Sequence, residues 1–429
     1  MNKILLVGDN RLSKNWGGRG ASIALYQLLN KDNRVIGSIY GGVLNNPRNL
    51  QYVNYKFPQK IFNHINTYGG STIVGKYYLA FEKLLGAQKV IGENPSDNLK
   101  TILSNKNKHE YLRNILNKFE EADIIVIDGD GDMIFTTPPR SSALTWLTMV
   151  LLGKHMNKKV YFVNTVVSDC SISGRNQDTF MYAQESFRLC DTITVRDQES
   201  LEYINNNMSE IKTQFIPDSL FSWYDHFKKS DRVLPNNGNF ILPYPEYQDN
   251  IDRIDFSKPY ICIGGSALAP KFREQSIKAY TGLVNEIKKM KLNVYLTQNC
   301  GGDSFLLDVA RYTNTPYIPV ETSVMMAGAI LANAQVFISG RYHPTIFASL
   351  GGTPCIFLKS HGHKMESIQE LLGYQNKTQY SFPPNSKEIQ AITELTEYYI
   401  NNNEVHSKHI KFISKELSKK AQKLPDIIQ

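Results

Sequence analysis

The sequence predicts an α/β fold with two domains, each built on a parallel sheet that faces a central cleft. Short apolar strands alternate with helical segments in two separate stretches of the chain, which is the pattern of parallel sheets covered by helices. Between these stretches, residues 228–257 lack periodicity and contain Pro, Asn and Asp, as linkers often do. The 429 residues are enough to form two hydrophobic cores.

The first predicted domain, residues 1–227, opens with a strand at 3–7, the loop "GDNRLSKNWGGRGAS" and a segment of helical spacing at 22–29. The elements that follow are a strand or loop at 35–43, helices near 76–86 and 108–121, a strand and Gly/Asp loop at 122–135, a helix at 146–158, a strand at 159–167, a helix at 179–191, a strand and helix at 192–204 and a closing segment at 213–221. We expect Asp197 to cap the helix of the 192–204 segment.

The second predicted domain, residues 258–385, repeats this alternation, so both domains are expected to be Rossmann-like. Its elements are a strand at 258–267, a helix at 274–290, a strand and loop at 291–303, a short strand at 315–320, a helix at 323–334, a strand at 336–339, a helix that ends at 351–352, a strand at 354–358 and a helix at 364–373. A lysine-rich helical tail, residues 386–429, is predicted to close the chain.

Composition and charge favour a globular protein with acidic ligands. The net charge is +8, and hydrophobic residues make up 41% of the chain. A surplus this small and scattered suits phosphorylated or acidic substrates and argues against a nucleic-acid binder. The five cysteines include no CxxC pair, which is typical of reduced thiols, so we expect a cytoplasmic protein. We expect neither a signal peptide nor a membrane span, which needs roughly 20 apolar residues.

Ligands of open parallel sheets bind beyond the carboxyl ends of the strands. The loops that follow the predicted strands should therefore face one cleft between the domains. These loops are residues 8–20, 128–135, 168–175, 196–197, 264–273, 298–303 and 340–343.

The strongest candidate site is an anion site in "SGRYHPTIFASLGG". Arg341 and His343 stand at a strand-to-helix turn, next to the free N–H groups of a helix N-terminus, which attract anions. Lys364 follows the next strand and brings a third basic group toward the same loop. This combination is typical of a site for phosphate or carboxylate.

The glycine-rich loop near the N-terminus is a second candidate. Gly17, Gly18 and a third glycine would let the backbone approach a ligand closely, and Asn15 and Arg19 can donate hydrogen bonds. Ser22 is expected to cap the helix that follows. The alternative is a packing turn whose glycines serve only the backbone geometry.

The segment "DGDGD" places Asp128 and Asp130 after a strand, where a carboxylate can contact sugar hydroxyls or act as a general base. A turn stabilised by its own Asp side chains is an equal alternative, and a site for a hard metal ion is a weaker one, so we predict no metal.

Two other strand ends carry candidate residues. Arg196 either completes an anion clamp or forms an internal ion pair with Asp197, and we favour the pair. Gly265 lies in "IGGSA", near the basic pair Lys271 and Arg273, and could bind an anion. Because the chain has no GxSxG, HExxH or supported Cys–His pair, a hydrolase with an activated nucleophile has little support.

Three segments together resemble the polysaccharide pyruvyl transferase family. They are "GD" with "NWGGRGAS" near the start, "ITVRDQES" followed by "IPDSLF" in the middle, and "SGRYHPTIFASLGGTPCIFL" with "HKMESIQELLG" near the end. The resemblance covers scattered stretches between residues 5 and 373, and the final segment is the most specific. The chain differs from the family at "DGDGD", where a run of glycines is more usual, and at Tyr342, where an aliphatic residue is common.

The resemblance implies a two-domain fold similar to GT-B glycosyltransferases. It also implies transfer of the pyruvyl group of phosphoenolpyruvate to a sugar as a ketal, with loss of phosphate. The family's Arg-x-His motif selects Arg341 and His343 as donor-site residues. The acceptor would be a sugar of a cell-surface polymer or its lipid-linked precursor, and no cofactor is expected.

This reaction suggests a role for each candidate. Arg341 and Lys364 would hold the donor's two anionic groups, and His343 would bind the phosphate or deliver a proton to the methylene carbon. The candidates for a further cation from the first domain are Arg19 and Arg196. The candidates for the base toward the acceptor are Asp9, Asp128 and Asp130.

Three alternatives remain open at this point. A nucleotide-sugar glycosyltransferase of the same fold would bind a diphosphate near Arg341 and a ribose at Glu321 or Glu366. A noncatalytic carbohydrate-binding protein is favoured only by the departure at "DGDGD". The lysine-rich tail would suit a peripheral contact with the inner face of a membrane, although we favour a helix packed at the domain junction.

Overall fold

The computed structural model describes residues 2–31, 34–41, 52–53, 77, 80, 84, 88–208, 210–228 and 254–428. Most of the predicted linker at 228–257 lies outside these residues. Of the helix predicted near 76–86, the described residues 77, 80 and 84 are helical.

The first half of the chain is built on a six-stranded parallel sheet. The described strands of this half are β1 (Ile4–Asp9), β2 (Val35–Tyr40), β3 (Tyr52–Val53), β4 (Gln88–Lys89), β5 (Ile124–Asp128), β6 (Met133–Phe135), β7 (Lys159–Thr165), β8 (Val167–Asp169), β9 (Thr192–Val195) and β10 (Thr213–Phe215). Four of them form two small separate sheets, β3-β4 and β6-β8. The six-stranded sheet has the order β10-β9-β7-β5-β1-β2, and all its pairs are parallel. Strands β1 and β5 are buried along their whole length, because helices cover both faces.

The described helices of this half are α1 (Trp16–Leu29), α2 (Pro95–Asn105), α3 (Glu110–Glu121), α4 (Ser141–His155), α5 (Gln177–Leu189), α6 (Gln198–Asn207) and α7 (Tyr224–Phe227). Helix α2 has a clear start signal, an Asn cap at 94 followed by proline, which the sequence analysis missed.

The second half is built on a five-stranded parallel sheet. Its strands are β11 (Tyr260–Ser266), β12 (Asn293–Thr297), β13 (Tyr317–Ile318), β14 (Val336–Gly340) and β15 (Cys355–Phe357). Their order is β13-β12-β11-β14-β15. The helices are α8 (Arg273–Lys288), α9 (Phe305–Thr313), α10 (Val324–Ala332), α11 (Tyr342–Gly351), α12 (Lys364–Leu371), α13 (Ser386–Asn401), α14 (Asn403–Ala421) and α15 (Leu424–Ile427). Two parallel sheets flanked by helices confirm the predicted fold class.

Helix α1 corrects one sequence-based expectation. It begins at Trp16, so the glycines predicted to lie in a loop belong to its first turns, and Ser22 is buried inside the helix. The cap is Asn15, whose side-chain oxygen accepts from the N–H groups of Gly17 and Gly18. Glycine is unfavourable in a helix, but here it permits close packing, which sequence patterns do not reveal.

Helix α1 and the C-terminal helices join the two halves. One hydrophobic cluster contains Trp16 and Ala24 of α1 together with Phe337 and Phe347 of the second half. At the end of the chain, residues 424 and 428 enter the core around β1 and β5 of the first half. The tail therefore crosses back to the first sheet. Among the described helices, none combines the length and hydropathy needed to cross a membrane.

Candidate active site

Arg196, which follows β9, lies at the centre of a buried group of charged side chains. Its side chain is 1% exposed, and its Nη1 lies 2.9 Å from Oδ1 of Asp130 and 3.1 Å from Oδ2 of Asp218. Nη1 also lies 3.1 Å from Nε2 of His343, and the Tyr342 ring packs 4.2 Å from the guanidinium carbon. We call these five residues the Arg196 cluster. They come from the carboxyl ends of strands in both sheets.

The predicted ion pair between Arg196 and Asp197 is wrong. Asp197 caps α6, as predicted, because its Oδ1 accepts from the N–H of Ser200 at 2.7 Å. The same oxygen lies 3.1 Å from Nε2 of His363. Two neighbours at a strand end project in different directions, so Arg196 meets carboxylates from other loops instead.

Burial and charge act in opposite directions on the two carboxyl groups of the cluster. Burial would raise the pKa of Asp130, but the nearby His343 and Arg196 outweigh it and lower that pKa to about 2. The pKa of Asp218 is lowered for the same reason, against the effect of its burial. Both carboxylates are therefore ionised at neutral pH and hold Arg196 in place. Sequence reasoning assigned no role to Asp218, although "IPDSLF" had been noted as a family segment.

His343 is positioned to hold or release a proton. It is 8% exposed, and its Nε2 lies 3.1 Å from both Oδ2 of Asp218 and Nη1 of Arg196. When Nε2 carries a proton, it can donate to Asp218; when Nε2 is bare, it can accept from Arg196. Because Nη1 of Arg196 has two N–H groups and also faces Asp130 and Asp218, donation to a bare Nε2 replaces one of its hydrogen bonds to a carboxylate.

Lys364 and Arg140 bring further cationic groups to the loop of Gly131. The Nζ of Lys364 donates to the carbonyl of Gly131 at 3.2 Å, and Arg140 donates to the same oxygen at 2.8 Å. A Cβ on Gly131 would lie 2.1 Å from that Nζ and 3.6 Å from Nη2 of Arg196. Among the described residues, Nε and Nη2 of Arg196 have no hydrogen-bond partner although both are buried. Their donor capacity fits an anionic ligand at this loop.

Arg341, which follows β14, lies in a second group of residues with partners from the ends of β11 and β12. Its Nη2 donates to Oδ1 of Asp303 at 2.7 Å, and Asp303 is fully buried. The same carboxylate oxygen would lie 2.0 Å from a Cβ on Gly265, so an anion near Gly265 would face Asp303. Of the predicted basic pair, Lys271 is exposed and Arg273 pairs with Asp308 at 2.6 Å. Asp303 lies in the loop 298–303 that was expected to face the cleft, but no sequence pattern singled it out as a partner of Arg341.

The other two carboxyl groups predicted near the site, Asp128 and Asp9, interact with residues outside the Arg196 cluster. Asp128 is buried, accepts from Ser22 and Asn164, and has a pKa raised by burial and by Asp130. Asp9 pairs with Arg11 at 2.7 Å. Within the part of the chain that the structure describes, no three His, Cys, Asp or Glu side chains come together as a metal site.

The start of α1 lies directly on the site. A Cβ on Gly17 would lie 2.4 Å from the Cβ of His343, so this glycine allows the helix to contact α11. Arg19 is partly buried, and its Nε has no hydrogen-bond partner among the described residues. Gly18 faces Asn10 and the cap residue Asn15 instead. The loop prediction was wrong in form, but part of this segment reaches the Arg196 cluster.

Replacing Gly17 by alanine is expected to destabilise the protein by about 1–3 kcal/mol, the usual cost of overpacking. The new methyl group would meet Cβ and Cγ of His343 at 2.4 and 2.9 Å, and the Cβ can move only with the backbone of α11. Denaturant unfolding measures the change. Gly301→Ala is the matched control, because a Cβ there has no atom within 4 Å. Equal stability of the two variants would contradict the contact between α1 and α11.

Comparisons with known proteins agree with this architecture. A family model described as polysaccharide pyruvyl transferase matches residues 20–362. No curated protein matches the sequence significantly. The structure is similar to that of S. aureus MnaA with UDP, at a TM-score of 0.55 and 11% identity over 100% of this chain and 98% of that one.

Two further solved structures show the same likeness. UDP-GlcNAc 2-epimerase from Neisseria meningitidis bound to UDP-GlcNAc has a TM-score of 0.52 and 12% identity, covering 97% of this chain and 98% of that one. A glycosyltransferase from Rickettsia africae has a TM-score of 0.52 and 14% identity, covering 100% of this chain and 95% of that one. At such identities the likeness shows the fold alone, which is GT-B-like, as expected.

Proposed function

Since the chain belongs to the polysaccharide pyruvyl transferase family, we propose that it transfers the pyruvyl group of phosphoenolpyruvate to a sugar of a cell-surface polysaccharide or its lipid-linked precursor. The product would be a ketal, and phosphate would be released.

The observation that supports this donor best is the set of cationic groups around Gly131. Arg196, Lys364 and Arg140 all direct charge toward one loop between the two sheets. Phosphoenolpyruvate carries a phosphate and a carboxylate, and Arg and Lys side chains are well suited to bind both. Arg341, held by Asp303, would add a cation from the side of the second sheet.

The proposed reaction consumes two sugar hydroxyl groups and one enol phosphate. The methylene carbon of the donor gains a proton and becomes a methyl group. One hydroxyl oxygen bonds to the central carbon, and the second displaces the phosphate from that carbon as its C–O bond breaks. Of the two hydroxyl protons, one balances the proton gained by the methyl group and the other leaves with the phosphate.

The geometry favours His343 for proton transfer. Its Nε2 lies 3.1 Å from Oδ2 of Asp218, to which a protonated Nε2 can donate, and 3.1 Å from Nη1 of Arg196. Asp130 is a poor base, because its pKa of about 2 leaves it little affinity for a proton. Asp128 has a raised pKa but is buried and accepts a hydrogen bond from Ser22, so we assign it a supporting position beside Asp130. Asp9 is occupied by Arg11.

Phosphoenolpyruvate is expected to stabilise the purified protein against thermal unfolding. A ligand at one hundred times its dissociation constant adds about 2.7 kcal/mol. We expect this shift with phosphoenolpyruvate and not with uridine- or guanosine-linked sugars. His343→Ala and Arg341→Ala should each lose the shift and slow turnover.

Arg273→Ala is the matched control for Arg341→Ala, because it also removes an Arg–Asp pair of the second half, but one on the surface. The control should keep the full response to phosphoenolpyruvate. Normal donor affinity and turnover in both site variants would show that the site is wrongly assigned. A response to one nucleotide sugar alone would contradict the proposed donor.

A nucleotide-sugar glycosyltransferase is the second candidate function, and one observation favours it. Glu321 follows β13 and has a buried Oε2 without a hydrogen-bond partner among the described residues, while its Oε1 accepts from Lys14 at 3.2 Å. A carboxylate beyond a strand end can bind ribose hydroxyls. Glu366, the other candidate, is exposed. Binding of a nucleotide sugar that is lost in Glu321→Gln would support this function.

A further inference from the structure

A cavity of about 590 Å³ lies in the second half, away from the Arg196 cluster. Its lining comes from β15, from residue 369 of α12, from residues 372–376, 378 and 380 after that helix, and from the facing sides of α13 and α14. Helix α12 begins at Lys364 and ends at Leu371. At 1.5 Å per residue, these two ends are about 10 Å apart. The cavity and the Arg196 cluster share no residue and lie toward opposite ends of one helix.

The lining of the cavity is aromatic and carries no carboxylate, lysine or arginine. Tyrosines and a phenylalanine from three segments form much of the wall: Phe357, Tyr374, Tyr380, Tyr398 and Tyr399. The polar groups are neutral amides and hydroxyls, such as Asn376, and the imidazoles of His406 and His409. A charged ligand would lose hydration here without gaining an opposite charge. The lining therefore favours a neutral ligand.

The aromatic and polar groups lie close enough to act on one ligand. The ring of His406 lies 4.8 Å from the ring of Tyr399 and 5.4 Å from that of Tyr398. Tyr398 is 51% exposed, so one aromatic face remains open at the edge of the cavity. The hydroxyl of Tyr374 accepts from the N–H of Cys355 at 2.8 Å, which fixes its ring. Burial lowers the pKa of His406, so the ring is neutral at pH 7 and can donate and accept.

We propose that this cavity binds a neutral sugar unit, as a second saccharide site separate from the reaction centre. The apolar face of a sugar ring packs on aromatic side chains, while its hydroxyls need amides and imidazoles as partners. A lipid chain would leave the imidazoles and Asn376 unpaired, and a phosphate would find no lysine or arginine in the lining. The identification of the sugar as part of the polysaccharide acceptor rests on the proposed function, but the binding itself does not depend on the donor.

The test is to measure the binding of neutral oligosaccharides to the protein by saturation-transfer NMR and calorimetry. The probes are maltohexaose, cellohexaose, mannohexaose and galactotetraose. We expect at least one probe to bind, and both Tyr398→Ala and Asn376→Ala to weaken it tenfold or more. Both residues are exposed, so these variants should keep the native melting temperature, which is measured alongside. Tyr312→Ala is the matched control, because Tyr312 is a 73% exposed tyrosine outside the cavity.

Arg341→Ala separates this inference from the proposed donor chemistry. This variant should lose stabilisation by phosphoenolpyruvate but bind the oligosaccharide normally. If no probe binds, or if binding is unaffected by both cavity substitutions, the saccharide site is refuted. Competition of phosphoenolpyruvate with the oligosaccharide would also refute it, because it would place the sugar in the reaction centre alone.

Discussion

Arg196→Met is expected to lower the free energy of unfolding by about 3–5 kcal/mol, the usual effect of removing one partner from a buried ion pair. The substitution leaves Asp130 and Asp218 facing each other without the guanidinium that lies 2.9 and 3.1 Å from them. It also removes the guanidinium Nη1 that lies next to Nε2 of His343 and the cation–π contact of Arg196 with the Tyr342 ring. Pyruvyl transfer should be lost, even at temperatures where the variant remains folded. Denaturant unfolding and turnover measure the two effects.

Two controls make this expectation specific. Arg188→Met removes an exposed arginine that lies 3.1 Å from Glu210, and such surface pairs contribute about 0–1 kcal/mol. Arg196→Lys keeps the charge but not the planar fork, so it should be more stable than Arg196→Met and still bind the donor poorly. If Arg196→Met unfolds at the same denaturant concentration as Arg188→Met, the cluster does not contribute as described.

The pH dependence of the same cluster follows from the lowered pKa values. The unfolded pKa of Asp is about 3.9, whereas the folded pKa of Asp130 is about 2. The stabilisation is therefore complete above about pH 4 and is lost as the pH falls toward 2. In Arg196→Met this acid-dependent part of the stability should shrink, because one of the counter-charges of Asp130 and its hydrogen bond are gone.

The sheets were readable from sequence because their strands are continuous apolar runs. β5 and β11 are buried at every position, so the pattern of buried parallel strands was unambiguous. The start of α1 was not readable. Three glycines argue locally against a helix, and the contact that requires them, Gly17 against His343, joins residues more than three hundred positions apart.

Candidate site residues could be predicted from the sequence only where a charged side chain directly follows a predicted strand or begins the next helix. Arg341, His343, Lys364 and Arg196 were all named as candidates for this reason, but their ion-pair partners were not predicted. Arg196 pairs with Asp130 and Asp218, which are 66 and 22 residues away in sequence. Ion pairs of this kind depend on the order of the strands in the sheet, and a single sequence does not show that order directly. For this reason the local pair with Asp197 looked attractive and was wrong.

Donor affinity is expected to fall as the pH rises through about 8, because Lys364 loses its charge there. Burial lowers the pKa of this lysine to about 8, and repulsion from Arg196 adds to the effect. Below this pH the ammonium group can bind an anion of the donor; above it, the neutral amine cannot. A plot of the dissociation constant for phosphoenolpyruvate against pH should rise above pH 8, and the midpoint in the complex should be higher, because the bound anion favours the charged form.

The stability of the free protein should respond to pH with the opposite sign. Between pH 8 and the unfolded lysine value of about 10.4, the unfolded chain holds a proton at residue 364 that the folded protein has released. Stability contributed by this group therefore increases with pH over that range.

Lys364→Met should remove both dependences and weaken donor binding at every pH, whereas Lys364→Arg should bind the donor without the loss above pH 8. Lys377→Met, which removes an exposed lysine paired with Glu370 near the far end of α12, is the control and should keep both dependences. If Lys364→Met kept the loss of affinity above pH 8, another group would be titrating and Lys364 would not bind the donor.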